Sequence, residues 1–263
     1  MPGIARVAVA CVALIVPTAS EANDRLDGSQ QIVRTLSLPN GERQRVLYIT
    51  PPRPRAAIVM LPGGTGDIGL ASDGTIAHGE NFVVRTRRLW LDRGFAVLIP
   101  DALGANMRGE RSSPDYAAVV GRLVAFAHTE AKVPVFLLGT SQGSIAAMNA
   151  ASTLDPGQIA GVVMTESVSR EGKSGETVFD AHPERVQAPA LIVANTDDAC
   201  WVAPPQDAPR IAAAMTRSPD VKTIQVEGGS LASKVCGSLS PHGYYGIEGK
   251  VVDIVAGWMV DHL

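Results

Sequence analysis

Gly139-Thr140-Ser141-Gln142-Gly143 places a serine between two glycines, each two residues away. A short apolar run at 135–138 precedes it, and an alanine-rich segment of helical character, 143–154, follows at once. Strand, sharp turn and helix form the context of a nucleophile elbow, in which a strained turn lifts the serine hydroxyl above the end of a sheet. Side chains in place of Gly139 and Gly143 would collide with so tight a turn. In an ordinary strand-to-helix turn the same serine merely caps the helix. The choice between the two rests on partners elsewhere in the chain.

A serine hydroxyl is a weak nucleophile until a neighbouring base takes its proton, and that base needs an acid to orient it. Around an elbow of this kind the chain order is serine, acid, histidine. An apolar segment at 190–194 is followed by Asn195-Thr196-Asp197-Asp198-Ala199-Cys200. An acid just past that strand lies on the same rim as the elbow. Asp198, fourth after Ala194 in a loop similar to H-G-x-x-D, is the expected acid; Asp197 and Glu166, the latter just past the preceding strand, are the alternatives. Of the five histidines only His242 and His262 follow Asp198, and His262 is penultimate. His242, in the turn Ser240-Pro241-His242-Gly243-Tyr244, is the expected base.

The glycine-rich stretch Pro62-Gly63-Gly64-Thr65-Gly66-Asp67-Ile68-Gly69 admits two chemistries. One is an oxyanion loop: Gln142, the residue after the serine, supplies one backbone N–H, and Gly64 (or its neighbour Thr65) a second. The other is a nucleotide-dependent oxidoreductase, since Gly64, Gly66 and Gly69 spell G-x-G-x-x-G after a strand and Asp101 ends the next one. That fingerprint has to open a helix, and here Leu70-Ala71-Ser72-Asp73-Gly74 continue as loop, so the oxyanion reading is preferred. A phosphate-binding P-loop lacks its Gly-Lys-Ser/Thr. No cofactor and no metal ion is expected.

The elements that must position these groups alternate. Extended segments at 31–38 and 43–50, separated by Pro39-Asn40-Gly41, predict an N-terminal hairpin. Apolar strands at 56–61, 95–100, 135–138, 159–165, 190–194 and 221–226 are spaced by helices at 81–93, 116–128, 143–154 and 209–216. An amphipathic helix at 248–260, with Trp258 inward, closes the chain. This is the pattern of a mostly parallel, right-handed wound α/β sheet with helices on both faces. With 263 residues, 46% hydrophobic and 19% charged, the chain fits one domain. A net charge of −3 without a basic run excludes an electrostatic nucleic-acid or anionic-membrane surface.

Residues 1–22 read as a signal peptide: Arg6, an apolar core at 7–16 containing Cys11, then Pro17 and a small-x-small site at Ser20-Glu21-Ala22. The run is too short for a stable membrane anchor. The expected mature domain is 23–263, periplasmic or secreted. Export leaves two cysteines, Cys200 and Cys236, in an oxidising compartment, and an even pair there predicts a disulfide. Cys200 is two residues after Asp198 and Cys236 six before His242, so the bond would tie the acid loop to the histidine loop.

Taken together, the Pro62-Gly63-Gly64 loop, the Ser141 pentapeptide, the Asp198 loop and Ser240-Pro241-His242-Gly243 resemble the α/β-hydrolase superfamily over 56–263. The resemblance implies a serine hydrolase, with carboxylic esters, small or polymeric, as the expected substrates. An amidase or peptidase using the same residues, or a catalytically silent binding protein, is the alternative. Pro62 stands where the family often has histidine, a departure that bears on the second oxyanion donor. Many members carry a helical cap between the sixth and seventh strands. Here that stretch is about two dozen polar residues, so no large lid is expected. The site should be open and shaped by 63–82, 101–115 and 166–180, with Asn106, Arg108, Arg111 and Tyr244 as candidate substrate contacts.

Overall fold

A computed structural model describes residues 28–38 and 40–263. The expected signal peptide, with Cys11, and Pro39 of the expected turn lie outside the described residues.

Strands β1 (Gln30–Ser37) and β2 (Arg43–Thr50) form the predicted antiparallel hairpin. After them come β3 (Ala56–Leu61), β4 (Phe95–Pro100), β5 (Val135–Thr140), β6 (Gly161–Thr165), β7 (Ala190–Asn195) and β8 (Val221–Val226). Together they make one sheet in the order β1-β2-β4-β3-β5-β6-β7-β8. β2 joins β4 antiparallel, and every pairing from β4 to β8 is parallel. The inner strands are buried at every position of β3, β4, β5, β6 and β7, which is why they read as unbroken apolar runs. The edge strands β1 and β8 keep polar residues on their exposed faces.

Helices α3 (Pro114–Ala131), α4 (Gln142–Thr153) and α5 (Ala208–Ala214) cover one face, sharing a core with Ala57, Val59 and Leu61 of β3. Helices α1 (Phe82–Arg85), α2 (Arg87–Asp92) and α6 (Glu248–Val260) cover the other, against Ala56, Ile58 and Met60. The alternation is the two-residue period of a strand. The single helix expected at 81–93 is divided at Thr86. Its hydroxyl donates to the Phe82 carbonyl (2.7 Å) and accepts from the Trp90 indole N–H (3.2 Å), a back-bond of the kind that bends helices. Helix α3 starts earlier than its apolar periodicity suggests. Ser113 caps it, accepting from Tyr116 N–H at 3.1 Å, and Pro114 opens it.

Parallel strands bring their C-terminal ends to one rim. β5 lies between β3 and β6, so the Ser141 turn is flanked by the glycine loop on one side and Glu166 on the other, with the end of β7 beyond. Between β6 and β7 the chain forms only a short 3-10 turn, Pro183–Arg185, and among the described residues no lid covers the rim. Cys200 and Cys236 are disulfide-bonded. Among the described residues no helix is long and apolar enough to cross a membrane.

Candidate active site

Ser141 sits between β5 and α4 with φ 51° and ψ −124°, a conformation rarely adopted by residues with a side chain. Hydrogen bonds at both its N–H and its carbonyl hold it there. Its N–H donates to the Thr165 carbonyl at the end of β6 (2.9 Å), and its carbonyl accepts from the Ser144 hydroxyl (2.6 Å). The flanking glycines are needed for space: a Cβ on Gly139 would overlap the Gly143 carbonyl, and one on Gly143 the Leu61 carbonyl.

His242 arrives from the 3-10 turn Pro241–Gly243. Its Nε2 lies 2.9 Å from Ser141 Oγ, and its Nδ1 2.7 Å from Asp198 Oδ2. An ionised carboxylate only accepts, so Nδ1 carries the hydrogen and Nε2 is left to accept from the serine hydroxyl. The Asp198 side chain is fully buried and that of His242 4% exposed. The second Asp198 oxygen accepts from Cys200 N–H (2.8 Å), which orients the carboxylate. Ser240 Oγ accepts from His242 N–H at 3.2 Å and lies 2.8 Å from the Val235 and Gly237 carbonyls, to one of which it donates at a time. Arg85 donates to the Gly243 carbonyl and pairs with Glu248 (2.9 Å), clamping the turn from α1.

Two further acids were candidates. Asp197 is exposed and accepts from Gly228 N–H (2.8 Å); it shapes its loop and does not reach the histidine. Glu166 is 1% exposed with φ 45° and accepts from Asn195 N–H (2.8 Å). It lies beside Asp198 and His242, with reachable ligand atoms of all three within 4.8 Å of one another. Burial first, and then the Asp198 charge, push its carboxyl well above the usual carboxylate range. The His242 ring bonds Asp198, not Glu166.

Gln142 opens α4, so its N–H is among those without an intrahelical acceptor. Gly64 has φ 61° and, like Thr65, lines the cleft holding Ser141 and His242. The next residue back, Gly63, packs so closely on the elbow that a Cβ would come 2.8 Å from the Thr140 carbonyl. Arg111 supports this loop from below, donating to the Pro62 carbonyl (3.2 Å). The dinucleotide reading fails on two observations. After Gly69 the chain turns back through a Leu70–Ile76 bridge, and helix α1 begins only at Phe82. Asp101, its ribose-binding acid, instead accepts from Ile68 and Leu70 N–H, both at 3.0 Å, and so pins the loop.

The cleft has a volume of about 470 Å³ and a mixed wall, with Asp67, His78, Asn81 and Arg108 beside apolar Ala77 and Phe82. Of the four substrate-contact candidates only Arg108 lines it. Arg111 is 1% exposed; Tyr244 is fully buried, packs edge-on against Phe82 (5.0 Å between centroids) and donates to the Val193 carbonyl (3.0 Å); Asn106 caps the Arg108 N–H. The 166–180 segment does not line the cleft. It folds against the neighbouring loops, with Glu176 accepting from Gly109 and Ser112 N–H (2.9 Å each) and Ser174 from the Gln142 side chain (3.1 Å). In its place Cys236, Gly237 and Ser238 form a wall. Sequence reading also missed Asn195. It is fully buried, and its side-chain N–H groups reach the Gly228 (2.9 Å) and Pro241 (3.0 Å) carbonyls, joining the acid and histidine turns. Its only sequence signal is an asparagine at the end of an apolar strand.

No family model and no curated protein sequence matches the chain. Its backbone is similar to solved structures. Dienelactone hydrolase from Anabaena variabilis superposes with a TM-score of 0.61 at 14% identity, over 90% of this chain and 99% of that one. An esterase from Pyrococcus furiosus gives 0.65 at 11% identity, over 88% and 91%. A lidless α/β serine hydrolase from Xanthomonas campestris gives 0.57 at 13%, over 89% and 93%. The sheet order, the lidless rim and these superpositions show that the chain has the α/β-hydrolase fold.

Proposed function

We propose that the protein is a serine hydrolase of carboxylic esters. The observation that supports this reading most directly is the continuous hydrogen-bonded relay from Ser141 Oγ through His242 to Asp198, at 2.9 and 2.7 Å. Ser141 Oγ attacks the ester carbonyl carbon as His242 Nε2 takes its proton. Negative charge develops on the carbonyl oxygen, and the backbone amides of Gln142 and Gly64, with Thr65 adjacent, receive it. The tetrahedral intermediate collapses, His242 returns the proton to the departing alkoxide, and an acyl group remains on Ser141. Water then adds by the same route, with His242 again as base, and releases the acid. Asp198 keeps the Nδ1–H tautomer and stabilises the imidazolium. The open cleft, with Asp67, His78, Asn81 and Arg108 as well as Ala77 and Phe82 in its wall, favours small esters or an exposed ester of a polymer. The disulfide agrees with export to the periplasm or beyond, as the N-terminal sequence suggests.

Purified protein is expected to hydrolyse p-nitrophenyl acetate and to be labelled by a fluorophosphonate at Ser141. Ser141→Ala should abolish labelling and lower turnover by about 10⁴-fold or more. Undiminished turnover in that variant would overturn the assignment.

A further inference from the structure

Glu166 is not used by the relay, yet it is buried against it. Oε1 accepts from Asn195 N–H, while Oε2 is shut off from solvent and has no hydrogen-bond partner among the described residues. The Asp198 oxygens are already engaged, one by Cys200 N–H and one by His242. The titratable groups facing Glu166 are Asp198 from the β7 loop and His242 and Tyr244 from the histidine turn. The Tyr244 hydroxyl also lies near enough to Glu166 to favour its ionised form, a smaller effect than burial and the Asp198 charge, but its hydrogen bond goes to the Val193 carbonyl, and among the described residues no guanidinium or ammonium acts on Glu166. Two ionised carboxylates so placed would leave one charge without a partner in a dry site. A carboxylic acid resolves both problems, because its O–H turns the orphaned Oε2 into a donor beside an acceptor with lone pairs to spare.

We propose that Glu166 is a positioning residue that stays protonated at neutral pH and donates a hydrogen bond to the Asp198 carboxylate, so that the Asp198–His242 pair works with a single buried negative charge. The proposal rests on the relay assigned above. It extends that assignment by making the charge state of the acid depend on a fourth side chain. Deprotonating Glu166 would add a negative charge beside the imidazole; deleting it would free Asp198 to tilt.

The test measures the pH dependence of fluorophosphonate labelling of Ser141, and of kcat/KM for an activated ester, in the wild type, Glu166→Gln and Glu166→Ala. The alanine variant should lose about 10–100-fold through misplacement of the relay. The glutamine variant, a permanent neutral donor, should recover to within about threefold of wild type. The glutamine variant should also keep the midpoint of the acid limb within about 0.3 unit of wild type. If Glu166 is ionised in the wild type, glutamine removes a charge near His242 and the limb moves down by about one unit or more; that result overturns the proposal. Infrared titration of the wild-type protein needs no variant to fold. A protonated-carboxyl stretch persisting from pH 6 to 8 supports the proposal, and its absence sinks it. A wild-type Ser141 that never labels defeats the hydrolase reading instead, and the infrared band still decides the protonation of Glu166.

Discussion

Removing the Cys200–Cys236 bond separates what holds this fold together from what aligns its site. The bond closes a loop with a sequence separation of 36. On the chain-entropy relation, cross-linking at that spacing restricts the unfolded chain by about 3.8 kcal/mol, equivalent to about 8–15 °C in Tm for a domain of this size. The two loops it joins are also held by non-covalent links. Asn195 bridges to the Gly228 and Pro241 carbonyls, and Asp198 bonds His242 directly. These bonds involve buried side chains at the strand ends, and they are expected to survive its loss in the folded state. The double variant Cys200→Ala/Cys236→Ala avoids a lone thiol. Urea unfolding should show it less stable by about 3–4 kcal/mol, whereas ester hydrolysis at 25 °C should fall by less than about tenfold, under 1.4 kcal/mol of transition-state stabilisation. A stability loss below about 1 kcal/mol would refute the loop-entropy argument. A hundredfold or greater loss of kcat/KM with the fold intact would show that the disulfide, rather than Asn195, sets the spacing of Asp198 and His242.

Asp198→Asn should lower kcat by about 10⁴-fold, because an amide can hold the ring with the wrong nitrogen protonated. Asp197→Asn, which at most weakens a bond from Gly228 N–H at an exposed site by removing its charge, should cost less than about 1 kcal/mol of stability and little activity; steady-state kinetics on the pair separates the two aspartates. Glu166 also predicts a pH dependence of stability. Its folded-state pKa is raised, so its contribution is fully present below the unfolded value of about 4.3 and is lost as pH rises toward the folded value. Relative to Glu166→Gln, wild type should therefore lose stability between pH 5 and 8 with a slope of up to about 1.36 kcal/mol per unit. Denaturant unfolding at four pH values measures it, and parallel curves for the two proteins would contradict a buried neutral Glu166.

Much of the architecture was legible because buried parallel strands announce themselves. β2, β3, β4, β8 and α6 coincide with their predicted bounds, since each is an apolar or amphipathic run ending at a polar or glycine-rich break. Errors fell where a side chain acts on the backbone. The Thr86 back-bond divides one predicted helix into two, and the Ser113 cap starts another early. Neither effect changes hydrophobic periodicity, so periodicity could not reveal it.

For the site, the division runs between groups that lie at strand ends and groups that meet through space. By itself the sequence determined the Ser141 elbow, the order of acid and histidine, and the pairing of two cysteines, because strand–turn–helix geometry and chain order are local or one-dimensional properties. Only the tertiary structure decided that Asp198 rather than its neighbour Asp197 faces His242, that Arg111 and Tyr244 are buried supports, and that Asp101 pins the glycine loop. It alone placed Glu166 against the Asp198–His242 pair. Those outcomes depend on which way a side chain points once strands far apart in sequence share a rim, and hydrogen-bond satisfaction in a buried environment settles that direction.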